Sequence, residues 1–383
     1  MTSSLRENIL SNARIVLDGE VTTGSLRIVD GVIADIATNS ALPNAEDMQG
    51  DHLVPGLVEL HTDHMEGHFA PRIGVRWNPA AAVLAHDAQL ATSGVTTVFD
   101  AIRVGMEDHA EVGLEDMTLL ADAVREANAA RRLRAQHFIH LRCEVSTADC
   151  LPGFERLAGR KEVLLASMMD HAPGQRQFTD LEAFRAFHLS RTSKSEAAFD
   201  AFCAERIAES EANAEPNRAA IAAAAERYAI TLASHDDATP DHVRESLGYG
   251  VRIAEFPTTI EAARTAHEAG MGVMMGAPNL VRGGSHSGNV AARDLAEAGL
   301  LDILSSDYIP FSLIYAVFQI ARFADGISLP QAVSWVTSAP AKAVGLTDRG
   351  RIAPGQRADL VRVRADEDVP VVRTVWREGQ RVA

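Results

Sequence analysis

VPGLVELHTDH, residues 54–64, reads as a short apolar β-rich run that stops at His61, Asp63 and His64. It is the first of eight such runs, which alternate with longer Ala-rich stretches of helical spacing. The others are Val95 to Asp100, Ala135 to Arg142, Val163 to Met169, Ile230 to Ser234, Val251 to Phe256, Gly272 to Gly276 and Leu301 to Ser305. Strands alternating with helices specify a parallel sheet or barrel, and eight is the number at which a (β/α)8 barrel closes. The expected fold is therefore α/β, a TIM-like (β/α)8 barrel.

Outside the barrel pattern the chain changes character. Residues 8–54 hold short β-branched runs broken by Asp18-Gly19 and Asp30-Gly31 turns, and the segment from Arg349 returns to short strands with turns at Gly355 and Gly379. The two ends are expected to complete one small β-sandwich-like domain, residues 1–54 with 349–383, into which a barrel of residues 55–348 is inserted. Between the fourth and fifth runs, 178–227 is a long connection rich in Ala, Glu and Phe; it is either a helical lid or a helical pair packed outside the barrel.

The 383 residues carry 36 Lys and Arg against 52 Asp and Glu, a net charge of −16, which argues against a nucleic-acid-coating protein. The most apolar stretch, Tyr308 to Ala321, contains Pro310 and is shorter than the roughly 18 residues of a membrane span. The first residues lack a signal-peptide core, so a cytoplasmic location is expected. Cys143, Cys150 and Cys203 are odd in number and lack CxxC spacing, which fits a reducing compartment and excludes a zinc ribbon.

Metal-competent side chains fall at the carboxyl ends of the strands. His61 and Asp63 follow the first, Glu144 the third, His171 the fourth and His235 the fifth; Glu255 ends the sixth and Asp307 follows the eighth. In a TIM barrel these positions converge on one mouth, where such enzymes place catalysis. Imidazoles and carboxylates drawn from several loops suit a divalent cation, one or two per chain. Any one of these residues alone is ordinarily structural; the joint pattern makes them ligand candidates, with Glu255 as an additional one. Asp236, Asp237 and Asp302 read as helix caps or surface charges, His64, His68, His137 and His140 read either way, and Cys143 reads as a packing residue.

VPGLVELHTDH, TSGVTTVFDA (92–101), HLRCE (140–144), DHAPGQRQF (170–178), SHDDAT (234–239), MGAPNLVRGGSHSGN (275–289), SSDYIP (305–310) and SAPAKAVGL (338–346) together resemble the amidohydrolase superfamily. More narrowly they resemble its ribose methylphosphonate triphosphate diphosphatases, of the carbon–phosphorus lyase pathway. The resemblance implies zinc ahead of manganese, iron or magnesium, catalysis by Asp307 and His235, and hydrolysis of a ribose 5-triphosphate to the 5-phosphate and pyrophosphate. Three features depart from the general superfamily pattern. Asp63 stands where a second His is usual, Glu144 where many members have a carboxylated Lys, and Ala254-Glu255-Phe256 lacks the sixth-strand His, a role left to Glu255 or His171.

An acidic protein that binds such a substrate must concentrate positive charge locally. Arg72 and Arg76 after the first strand, Gln175 and Arg176 after the fourth, and Arg282 with Ser285 and His286 in the Gly-rich turn after the seventh are the candidates. The expected partner is thus a small phosphorylated anion, not nucleic acid or membrane, and self-association is compatible with the sequence. Amide or imide hydrolysis would use the same metal site without the Arg clusters. A scaffold without metal would not need His61, Asp63, Glu144, His235 and Asp307 together.

Overall fold

The computed structural model describes residues 7–38, 45–105, 112–176, 184–185, 195–285, 288–366 and 368–383. Its strands form two sheets. The first is built from both ends of the chain: β1 (Glu7–Val16), β2 (Val21–Val29), β3 (Val32–Thr38), β4 (Glu46–Asp47) and β5 (His52–Pro55), joined by β14 (Leu360–Arg364), β15 (Val371–Arg377) and β16 (Gln380–Arg381), in the order β16-β15-β14-β5-β1-β2-β3 with β4 paired to β1. Its neighbours are antiparallel except that β4 and β5 run parallel to β1, where the turn pattern suggested a purely antiparallel unit. The reason is that the chain makes the β1-β2-β3 meander and then returns to the opposite edge of β1. Side chains along these strands alternate as a sheet buried on both faces requires. Leu53, Leu360 and Trp376 join a cluster with Leu10, Ile15, Leu26 and Ile28, while their neighbours Val54, Val361 and Val375 join the core shared with the barrel.

The second sheet is the barrel. β6 (Leu57–Thr62), β7 (Val95–Val104), β8 (Gln136–Glu144), β9 (Val163–Met169), β10 (Thr231–His235), β11 (Ile253–Glu255), β12 (Gly272–Gly276) and β13 (Ile303–Ser305) pair in sequence order, all parallel. Each overlaps one of the eight runs expected from the sequence. A parallel bridge between Thr62 and Asp307 closes the ring, with Asp63 N–H donating to Asp307 O at 3.1 Å and Asp307 N–H to His61 O at 3.2 Å. On its other side, against β7, the register of β6 shifts between Glu59 and Thr62. At the seam the buried Glu59 carboxylate links β6 to the residue just past β13, accepting from His61 N–H at 2.7 Å and Ser306 N–H at 2.6 Å; burial pushes it up to about 7. Inside the ring Phe99, Leu165, Ala233, Ile253, Met274 and Ile303 pack together. Two residues on from Ala233 and Ile253, on the same face and directly paired, stand His235 and Glu255.

Three of the helices that follow the strands start from side-chain caps. Asn78 accepts from Ala81 N–H ahead of Pro79, Thr239 from His242 N–H ahead of Pro240, and Thr259 from Ala262 N–H. The loops after β10 and β11, which carry Asp236 and Phe256, are thus pinned at their far ends. Of the segment 178–227, expected to be a lid or a helical pair, 178–183 and 186–194 lie outside the described residues; from Glu196 to Tyr228 the chain is one helix capped by Ser195. That helix is tied to the loops after β8 and β9. Asn217 donates to Val145 O at 2.8 Å and Thr147 O at 3.0 Å, and Arg218 to Asp170 at 2.9 Å. Among the described residues no helix is long and apolar enough to cross a membrane.

The two ends of the chain are locked by a buried ion pair. Arg362 Nε donates to Asp51 Oδ2 at 2.5 Å and Arg373 reaches the same oxygen at 3.2 Å. Removing one partner of a buried pair strands the other charge. Asp51→Ala is therefore expected to lower the apparent unfolding free energy by about 3–5 kcal/mol, read from the midpoint of denaturant unfolding. A loss below about 1 kcal/mol would mean that the two halves hold together by apolar packing alone.

Candidate active site

At the carboxyl end of the barrel, two imidazoles share one carboxylate. His61 Nδ1 lies 2.8 Å from Glu255 Oε1 and His235 Nδ1 lies 2.7 Å from Glu255 Oε2, with Glu255 fully buried. An ionised carboxylate only accepts, so both rings carry their proton on Nδ1 and present Nε2 as a lone pair. His61 Nε2 then faces Asp63 Oδ1 at 3.6 Å, and His235 Nε2 faces Asp236 Oδ2 at 3.5 Å. Lone pair opposite lone pair is unfavourable unless a cation lies between them. The titration of His61 expresses the same demand: burial opposes its charge, yet the Glu255 and Asp63 carboxylates outweigh burial and raise the imidazole to about 10.

His171 extends the pattern. Its Nδ1 lies 2.6 Å from Glu144 Oε2, its backbone N–H donates to Glu144 Oε1 at 3.0 Å, and its Nε2 lies 3.9 Å from Asp236. Burial would raise the Glu144 carboxyl, but His171 and the Ser146 hydroxyl hold it down at about 2. Two compact groups of ligand-competent atoms, each within 4.8 Å, stand on the cleft side, His61 with Asp63 and Asp307, and His171 with His235 and Asp236; a third, His61 with His140 and Glu255, is fully buried behind them. The six residues expected as ligands come together, but Glu144 and the additional candidate Glu255 stand behind the rings and fix their tautomers, as carboxylates behind metal-binding His do. Asp236, read from sequence as a cap or surface charge, stands in front. SHDD in the sequence offers both readings, and what separates them is the left-handed backbone of Asp236, φ 56°. Phe256 (φ 54°) and Asp307 (φ 54°) share that rare conformation at the ends of β11 and β13.

Arg142 is a mouth residue that the motif HLRCE contained without marking it. On β8 it lies midway between His140 and Glu144, hence on their face. Its Nη1 sits 2.6 Å from both oxygens of Asp63. Burial opposes ionisation of Asp63, but Arg142 and His61 hold its carboxyl well below the usual range. Burial pushes the Asp307 carboxyl up, with Asp63 adding to that and His61 opposing it. His140 belongs to the wall, bonded to Leu60 O and the Ser167 hydroxyl, both at 2.9 Å.

The cleft above these groups, about 260 Å³, is lined by His61, Arg142, His171, His235, Asp236 and Asp307 together with Asn279, Arg282, Ser285, Asn289 and Tyr308. Arg282 ends the helix Ala277–Arg282, which Gly283 terminates in the left-handed conformation, φ 80°. Of the anion-binding candidates, Arg282 and Ser285 therefore line the cleft, and His286 lies outside the described residues. Arg176 is buried with its guanidinium on Asp237 and Glu245, so the structure places it in an ion-pair network instead of the cleft. Arg72 and Gln175 are exposed, and Arg76 lies 3.3 Å from Asp116 and over the Phe69 ring.

Residues 78–383 match the model of the family described as "Amidohydrolase family". The chain is 46% identical over 376 residues, 98% of its own length and 100% of the relative's, to the alpha-D-ribose 1-methylphosphonate 5-triphosphate diphosphatase of Escherichia coli (strain K12). Its fold is similar to N-isopropylammelide isopropylaminohydrolase of Burkholderia multivorans, covering 98% of this chain and 97% of that one at 18% identity and a TM-score of 0.62. It is also similar to N-acetylglucosamine-6-phosphate deacetylase of Pasteurella multocida, covering 98% and 99% at 14% identity and a TM-score of 0.62. The chain belongs to the amidohydrolase family, and it is a hydrolase.

If Glu255 sets both tautomers, Glu255→Gln should keep the fold and weaken divalent-metal binding about 10- to 100-fold, measured by competition with a chromophoric chelator. Unaltered affinity in a folded variant would show that His61 and His235 are oriented by packing alone.

Proposed function

We propose that the enzyme hydrolyses alpha-D-ribose 1-methylphosphonate 5-triphosphate to the 5-phosphate and pyrophosphate, in phosphonate breakdown. The observation that carries this reading is the likeness to the Escherichia coli diphosphatase over the whole of both chains. The cleft supports it with Arg142 and Arg282, cations in a protein of net charge −16. That background and a cleft of about 260 Å³ favour a small phosphorylated anion over nucleic acid. Cys143 and Cys150 are buried free thiols, which suits a cytoplasmic enzyme.

The donor set fits divalent metal, because each imidazole Nε2 faces a carboxylate oxygen and an ion there would take the place of the proton that His61 otherwise holds. His61, Asp63 and Asp307 would hold one ion and His171, His235 and Asp236 a second, zinc ahead of manganese, iron or magnesium. When bound, such ions supply Lewis acidity toward phosphoryl oxygens and acidify water at the same place. The protein's own groups do the rest. Asp307, its carboxyl raised by burial, takes the proton of the attacking water on a carboxylate oxygen. Glu144 and Glu255 keep the imidazoles aimed throughout. Arg142, on Asp63 at the cleft wall, adds charge beside the reacting phosphoryl group. Arg282, Ser285 and the Gly283-Gly284 backbone receive the two distal phosphates, whose charge grows as pyrophosphate leaves. His286 belongs to the same turn in the sequence, and Arg72 and Arg76 to the exposed stretch after β6.

Attack at the α-phosphorus makes a labelled prediction. In oxygen-18 water the label should enter the ribose 5-phosphate and leave pyrophosphate unlabelled, as read by phosphorus NMR; orthophosphate as the first product, or label in pyrophosphate, contradicts this orientation. In the same assay Arg282→Ala should raise KM about 10- to 100-fold with little change in kcat, the scale of one charged hydrogen bond. Asp307→Asn should lower kcat about 10²- to 10⁴-fold, the range for a positioned base. Turnover of acyl-amino substrates and none of the triphosphate would move the enzyme to amide hydrolysis.

A further inference from the structure

The second group of candidate ligands, His171 with His235 and Asp236, is flanked in the chain by charges that the cleft itself does not use. Asp170 precedes His171, and Asp237 follows Asp236. Each of these two carboxylates is buried and carries a guanidinium: Arg218 Nη2 donates to Asp170 Oδ2 at 2.9 Å, and Arg176 Nη1 donates to Asp237 Oδ1. Glu245, on the helix Pro240–Gly248, joins the two halves, since one of its oxygens accepts from Arg176 Nη2 and the other lies 3.6 Å from Arg218 Nη1. Three elements meet there: the loop after β9, the loop and helix after β10, and the long helix Glu196–Tyr228.

What this network fixes is the backbone that carries the ligands. Asp236 adopts the left-handed conformation, φ 56°, which a non-glycine residue keeps only where its surroundings dictate it. On one side its own N–H donates to Glu255 O at 2.9 Å. On the other, Asp237 O accepts from Thr258 N–H at 3.0 Å while the Asp237 carboxylate is gripped by Arg176. Beside His171, Asp170 accepts from the Ser210 hydroxyl at 3.1 Å and from Ala172 N–H at 3.3 Å as well as from Arg218. Ser210 and Arg218 lie on one face of their helix, and Asn213 and Asn217 of the same helix hold the carbonyls of Val145, Ser146 and Thr147, just past Glu144. The first group has different supports. His61, Asp63 and Asp307 stand at the seam of β6 and β13, across the ring, and among the described residues no hydrogen bond joins them to Arg176, Arg218, Asp170, Asp237 or Glu245.

We propose that Arg176 and Arg218 are positioning residues for the second ion: through Asp237 and Asp170 they set Asp236 and His171, so that occupancy of the second group, and not of the first, depends on them. The proposal rests on the two-ion reading of the mouth. Neither guanidinium lines the cleft, so both act through their neighbours. A buried ion network is often no more stabilising than apolar side chains of the same volume, which points to placement as its use here. The planar guanidinium fork fixes direction as well as distance, so Arg176 holds Asp237 and Glu245 at once, which a single ammonium does less well.

The test titrates zinc into the metal-free full chain against a chromophoric chelator, resolving two binding steps, with Asp307→Asn marking the step that belongs to the first group. In Arg176→Ala and in Arg218→Ala the second step is expected to weaken about 10- to 100-fold, the range for losing a group that orients metal ligands, while the first stays unchanged. Turnover should fall at limiting zinc and return with excess zinc, because the ligands themselves are intact; a merely structural loss would not be rescued in that way. Removing either Arg strands a buried carboxylate, so Glu245→Gln, at a side chain 41% exposed, supplies a variant that keeps the fold, and it should weaken the second step alone. Folded variants in which both steps hold, or in which both weaken alike, would overturn the proposal. A wild type that binds fewer than two ions would remove the two-ion reading and this proposal with it, and that result shows before any variant is made.

Discussion

Glu255 is a fully buried carboxylate with one ring nitrogen on each oxygen, and the mouth of the barrel is organised around it. A charge taken out of water costs several kcal/mol unless it is paired and hydrogen-bonded. Glu255 meets that requirement by binding His61 from β6 and His235 from β10, which draws the first, fifth and sixth strands of the barrel to one point. The cost is not closed within the protein, because the far sides of both rings face carboxylates. A net surplus of acceptors at the bottom of a cleft is a demand for cations. The pull of Glu255 and Asp63 on the His61 proton measures that demand, and metal must displace the proton to bind.

The seam of the barrel feeds the same point. Glu59 bridges β6 and β13 through backbone N–H groups of His61 and Ser306, next to the Thr62–Asp307 closure. Closure of the ring and placement of two candidate ligands are therefore one event. The left-handed backbones of Asp236, Phe256 and Asp307, each just past a strand, store strain where the side chains must turn into the cleft. Caps at Thr239 and Thr259 hold the other ends of two of these loops.

Much of this was legible from the chain because strand ends in a parallel barrel have only one destination. Short apolar runs located the eight strands, and the residues that terminate them had to meet. The division of labour among those residues was not legible. Glu144 and Glu255 have the same chemistry as Asp63 and Asp236, and only the side on which each imidazole meets its carboxylate separates orienting groups from those in front. Arg176 read as an anion grip from its neighbours Pro173, Gly174 and Gln175, but its partners Asp237 and Glu245 lie 61 and 69 residues away. Arg142 was hidden because its partner, Asp63, is 79 residues distant. The parallel pairing of β5 with β1 was equally out of reach, since turn residues report local reversal and not the edge to which a chain returns.

The central claim is that the mouth holds divalent metal through two groups, His61 with Asp63 and Asp307, and His171 with His235 and Asp236. Anomalous diffraction at the zinc edge, from crystals of the zinc-loaded protein, tests it most directly. The account predicts a peak within bonding distance of His61 Nε2 and another within bonding distance of His235 and His171 Nε2, with Glu144 and Glu255 still on the Nδ1 side. No anomalous density at the mouth, or zinc bonded to Glu255 with His61 turned away, would contradict it.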